Sequence, residues 1–181
     1  RINSQSGKGG VAYVLNRDYG LDLPRWLQVD FSAAVQAMAE RSETEVQSKD
    51  IYDLFLETYH LSGARLSVGN YQLSRDERVD RLTVQISGLE GSPTLSGKGA
   101  GVVGAFTDAI SSHTGHKIIV VEYSEHTLGS DADAEAICYV QLAIDGSRVC
   151  GVGRSTDSVH ATMSAILSGL GRYPDAYVTA A

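Results

Sequence analysis

Basic residues and cysteine are scarce in this chain, and long apolar runs are missing; each shortage narrows what the protein can do. Fifteen Lys and Arg stand against 22 Asp and Glu, a formal charge of −7. A nucleic acid or an anionic membrane surface would want the opposite balance, so neither is expected as a partner. No apolar run approaches the roughly 20 residues that a membrane-spanning helix needs. The two cysteines, Cys138 and Cys150, have no C-x-x-C spacing and fall in apparent strands, where they read as buried, reduced thiols. The five histidines do not gather into a metal-ligand pattern. What remains is an ordinary globular composition, in 181 residues that suffice for one domain and an accessory piece.

Within that composition lies a repeat. The stretch SGKGAGVVGAFTDAI, residues 96–110, is answered by CGVGRSTDSVHATMSAI, residues 150–166. Each copy leads from a strand through a Gly-x-Gly turn into an amphipathic helix. Val102, Ala105, Phe106, Ala109 and Ile110 form one apolar stripe, and Val159, Met163, Ile166, Leu167 and Leu170 form the other. Upstream, Val84-Gln85-Ile86 matches Val140-Gln141-Leu142, with an offset that drifts between 54 and 56 residues. A repeat of this kind predicts two like units about a local two-fold.

Residues 1–62 differ in character. A polar, glycine-rich opening leads into a short helix at Val11–Leu15 and a turn over residues 16–22 closed by Gly20. Pro24 suits the first turn of a second helix whose apolar face is Leu27, Phe31, Ala34, Val35 and Met38. Ser48 reads as the N-cap of a third, with Asp50 in its first turn and Ile51, Leu54, Phe55 and Tyr59 inside. From residue 63 the period changes. Leu66–Leu73 is a strand broken near Gly69, residues 76–80 are a charged turn, Leu82, Val84 and Ile86 alternate with polar residues, and a short strand spans 93–96. Lys117–Tyr123, Ala136–Ile144 and a return after Asp145-Gly146 repeat the order. The predicted fold is α+β: a helical subdomain over 1–62, then a domain over 63–181 built of two pseudo-symmetric β-β-β-α units, 63–116 and 117–173.

Catalytic and nucleotide-binding patterns fail on inspection. Gly97-Lys98-Gly99 and Gly7-Lys8-Gly9 lack the spacing and hydroxyl of a phosphate loop. The letters G-x-G-x-x-G do occur at Gly99–Gly104, but after antiparallel strands instead of inside a βαβ unit. Asp131-Ala132-Asp133 offers too few oxygens for calcium, and no nucleophile turn is present. Tyr123–Thr127 reads as a loop of active-site type, with no second carboxylate or metal ligand to run chemistry. A small anion site made of exposed N–H groups at the repeat-helix N-termini, sized for a carboxylate, stays open.

The strings RINSQSGKGGVAYVL and LPRWLQVDFSAAVQ closely resemble the segment after the catalytic barrel of 2-isopropylmalate synthases. SGKGAGVVGAF, VVEYSEHT and GVG resemble the regulatory domain of that family, which citramalate synthases share. The resemblance covers essentially the whole chain. It implies paired β-β-β-α units that dimerise, in a cytoplasmic homodimer. It also implies a (β/α)₈ barrel before Arg1 that condenses acetyl-CoA with 3-methyl-2-oxobutanoate on a divalent metal, so that this piece is expected to hold neither a catalytic residue nor a cofactor. The implied effector is leucine, bound by Val103, Gly104, Val120, Tyr123, Thr127, Ala134, Ala136, Gly153, Ser155 and Asp157, with Glu122, Glu125 or Asp157 meeting its ammonium. Two other expectations stand beside it: a purely structural dimerisation domain, and an isoleucine sensor of a citramalate-type synthase.

Overall fold

The structure, a computed structural model, describes residues 8–173; the Arg1–Gly7 part of the resemblance falls outside them. The chain divides into two compact units, Arg1–Gly63 and Ala64–Ala181.

The first unit holds three helices, α1 (Lys8–Tyr19), α2 (Arg25–Arg41) and α3 (Ser48–Thr58). Leu27, Phe31 and Val35 recur every fourth residue and are buried together with Ile51 and Phe55. The Phe31 ring meets Phe55 edge-on at 5.2 Å, Tyr59 tilts against both, and its hydroxyl donates to Asp30 at 2.7 Å. Local details differ from expectation. α1 runs on to Tyr19 and stops where Gly20 takes a left-handed φ of 73°. Pro24 is the N-cap of α2, in extended conformation, instead of lying in its first turn. Gln47, not Ser48, caps α3, and its amide donates back to the Asp50 carboxylate at 2.9 Å.

The second unit runs β1 (Ser67–Asp76), β2 (Val79–Ser87), β3 (Thr94–Gly99), α4 (Gly101–Thr114), β4 (Ile118–Leu128), β5 (Glu135–Ile144), β6 (Ser147–Ser155) and α5 (Ser158–Arg172). This is the predicted β-β-β-α, twice. Both sheets are antiparallel, in the orders β1-β2-β3 and β4-β5-β6. Each helix covers its own sheet, α4 meets α5, and each helix also touches the first strand of the other β-β-β-α half, α4 on β4 and α5 on β1. That reciprocal exchange is the local two-fold. A single core joins the halves, with Leu82, Val84, Ile86, Phe106 and Ile110 from one and Val140, Leu142, Met163, Ile166 and Leu170 from the other.

Several boundaries move. The charged turn narrows to Glu77 and Arg78, and Asp80 lies inside β2, buried and paired with Arg75 at 2.6 Å. Tyr123–Thr127 is part of β4, not a loop. The Gly-x-Gly segments lie in β3 and β6, not in turns. Gly97 pairs with Leu82 and Gly153 with Cys138, so Gly97 corresponds to Gly153, and the offset stays at 56 residues from the central strand onward. A Cβ on Gly97 would lie 2.2 Å from the Ala105 carbonyl oxygen, and one on Gly153 2.3 Å from that of Ala161. These glycines let a helix backbone rest directly on the strand beneath it.

Candidate functional site

The N-termini of α4 and α5 occupy equivalent places and are finished differently. α5 is capped by Asp157, whose Oδ1 accepts from the Val159 and His160 amides at 2.9 and 3.3 Å. Its Oδ2 accepts from the Tyr71 hydroxyl, which crosses from β1. Burial pushes this carboxyl up, but the bonds from Tyr71 and the His160 and Val159 amides outweigh it and hold the group below the usual carboxylate range. The Asp157 bond, aided by burial, raises the Tyr71 phenol to about 12. Helix α4 has nothing comparable. Its N-cap is Ala100, with no side-chain bond, and Gly101 has a φ of 68° with open space where a Cβ would point. Among the described residues no carboxylate bonds the leading amides of α4, which is the arrangement an external anion needs.

Of the expected residues, Val103 and Gly104 lie on the first turns of α4, which packs against β4, the strand that carries Val120, Tyr123 and Thr127. Thr127, Ala136 and Ser155 form one row across β4, β5 and β6, and Ala134 closes the loop before β5. Tyr123 faces α5: its hydroxyl donates to Glu125 at 2.7 Å and lies 3.2 Å from the Cys138 sulfur and 3.0 Å from the Thr162 hydroxyl. Burial pushes this phenol above its ordinary range and does the same to the Cys138 thiol. Three members of the set are engaged at the α5 end. Gly153 is pressed against the α5 backbone, Ser155 accepts from the Asp157 amide at 3.1 Å, and Asp157 is committed to its own helix and Tyr71. Ser155 and Asp157 thus finish the α5 end, and Gly153 and Ser155 lie in β6. Gly104 is not forced by packing, since a Cβ there meets Gly99 at an ordinary 3.4 Å.

Tyr71 was not among the expected residues. Its signal is a short repeat: Val68-Gly69-Asn70-Tyr71 and Val120-Val121-Glu122-Tyr123 are 52 residues apart, and each spans a bulge before the tyrosine. Loops of unequal length shift that offset away from the 56 of the central strands. An open groove on the outer face of the first sheet, bordered by Gly69 and Thr94, contains none of the expected residues. Among the described residues no group of His, Cys, Asp and Glu could hold a metal ion, and no helix is long and apolar enough to cross a membrane.

Comparison with known proteins agrees with this architecture. The chain is 43% identical over 178 residues to a 2-isopropylmalate synthase of Mesorhizobium japonicum, a match covering 95% of this chain and 32% of that protein. The 2-isopropylmalate synthases of Thermobifida fusca and Mycobacterium leprae are 40% and 37% identical over 95% of this chain, covering 30% and 29% of their own lengths. The chain thus spans about a third of the length of these relatives. The family model of the LeuA allosteric (dimerisation) domain matches residues 45–173, which takes in every strand and both helices of the paired units, and the chain belongs to that family.

Proposed function

We propose that this chain is the regulatory and dimerisation part of a 2-isopropylmalate synthase, binding leucine for feedback inhibition within a cytoplasmic homodimer. The observation that carries this reading is the uncapped start of α4 beside β4, when its counterpart on α5 is filled by Asp157. The leucine carboxylate would sit on the first amides of α4. Val103 and Val120, with the small Gly104, Ala134 and Ala136, would surround the isobutyl group. Glu125, on β4 and in contact with Tyr123, would meet the ammonium, since Asp157 has both carboxylate oxygens taken up at α5 and by Tyr71. Condensation of acetyl-CoA with 3-methyl-2-oxobutanoate, and the divalent metal it uses, would belong to a barrel outside this chain. The regulatory part would act on that barrel through the helices of the first unit, with a coupling of about 1–3 kcal/mol.

Calorimetric titration of the full-length protein tests the reading. Leucine is expected to bind with one equivalent per chain and to displace isoleucine. Preference for isoleucine would move the protein to the citramalate-type sensors, and no heat with either amino acid at millimolar concentration would leave dimerisation as its role. In the intact enzyme, Tyr123→Ala is expected to relieve inhibition while leaving turnover without effector intact.

A further inference from the structure

Strand register places Tyr71 and Tyr123 at equivalent positions, opposite Val84 in one sheet and Val140 in the other. Their surroundings differ in a way that explains where each hydroxyl goes. Tyr123 finds Cys138 and Thr162 within its own unit. The residues corresponding to those two in the first unit are Leu82 and Phe106, both buried and with side chains that carry no polar atom. The Tyr71 hydroxyl therefore finds no side-chain acceptor at those two positions, and it donates to Asp157 in the other unit, 86 residues along the chain. Gly101 stands at the corresponding place on α4 and offers no such acceptor. Among the described residues the β1/α5 seam is closed by a bond between two side chains at the start of α5, whereas the bond across the β4/α4 seam, from the Ile118 amide to the Ser111 hydroxyl at 3.3 Å, lies at the other end of α4 and leaves its N-terminus untied.

We propose that Tyr71 and Asp157 form a latch that holds the β1/α5 seam shut, leaving the pseudo-equivalent β4/α4 seam as the one free to open around a small carboxylate. Asp157 fills its helix terminus as a bound carboxylate would, so each chain has one seam filled from within and one available from outside. An effector entering the open seam then moves the two units about the latched seam as a fixed edge. The second half of this inference rests on the function proposed above; the latch itself does not.

Amide hydrogen exchange on the full-length protein tests the latch without any effector. Tyr71→Phe keeps the ring and its packing and removes only the hydroxyl, and Asp157→Asn keeps an acceptor for the α5 amides. Either change is expected to speed exchange of the β1 amides around Tyr71 by roughly three- to tenfold, the range set by one net hydrogen bond. The β4 amides around Tyr123 should stay as they were. Unchanged β1 protection in Tyr71→Phe overturns the latch. Leucine stoichiometry then separates the two ideas. One equivalent per chain supports both, and two equivalents mean that the β1/α5 seam is not shut, which overturns the latch. No binding defeats the leucine reading, and the exchange result alone decides the latch.

Discussion

The two β-β-β-α units share a backbone plan and differ in what fills it. β2 of the first alternates strictly, with Leu82, Val84 and Ile86 inside and Thr83 and Gln85 exposed. β5 of the second is buried over four consecutive residues, Ile137 to Val140, so both of its faces are covered. Between sheet and helix the first unit is wholly apolar at Leu82 and Phe106, whereas the second places Cys138 and Thr162 there and engages Tyr123. One duplicated frame thus carries a packing half and a half with a polar cluster, and this difference settles which tyrosine crosses over. Duplication fixes geometry, and divergence of a few interior side chains then assigns roles.

Making the halves alike breaks that comparison most severely. Phe106→Thr gives the first unit the second unit's residue, empties the space of a fully buried ring and should cost about 3–5 kcal/mol in urea unfolding. Next come the glycines beneath the helices. Gly153→Ala drives a methyl to 2.4 Å from the Ala165 amide nitrogen and should cost about 2–3 kcal/mol. Gly104→Ala, which meets only ordinary contacts on a helix, should be neutral or stabilise by up to about 1 kcal/mol. An equal loss at both positions would show that the close helix–strand approach is not what Gly153 serves. Removing the cap that distinguishes α5 is milder: Asp157→Ala should lower stability by about 1 kcal/mol.

The smallest effect is in the response to acid. The Arg75 hydrogen bond holds Asp80 below the ordinary carboxylate range, and in the second unit the bonds from His116 and the Lys117 amide do so for Asp145. Both folded-state values lie under the unfolded value near about 3.9, so their stabilisation is complete above that pH and fades as pH falls through the folded values. Melting temperatures measured from pH 6 downward should therefore fall less steeply below about pH 4 in Asp80→Asn than in the parent protein. A curve parallel to the parent's would remove Asp80 from the acid response.

Much of the frame could be read from residues alone, because glycine and alternation mark it twice. Val84-Gln85-Ile86 and Val140-Gln141-Leu142 gave the central strands, and the apolar stripes gave the helices. The glycine correspondence slipped by two residues because Gly97-Lys98-Gly99 resembles Gly151-Val152-Gly153 in letters, while packing on the helix equates Gly97 with Gly153. Periodicity says which face of a strand is inside; it does not say which backbone comes within 3 Å of which glycine. Tyr71 escaped for a related reason. Its partner is 86 residues away and belongs to the other unit, so no local pattern joins them.

The outer borders of the sheets carry a last consequence. Along β6 the Val152 amide donates to the Ser168 hydroxyl at 3.0 Å, and the Cys150 carbonyl accepts from Arg172 at 2.6 Å. On β3 the Lys98 amide donates to Asp108 at 2.9 Å. A foreign strand drawn to either margin meets main-chain groups that the neighbouring helix already satisfies, which is how a small sheet protein avoids zipping onto stray chains. A domain whose family is defined by pairing with its own kind thereby guards two of its four rims against indiscriminate adhesion.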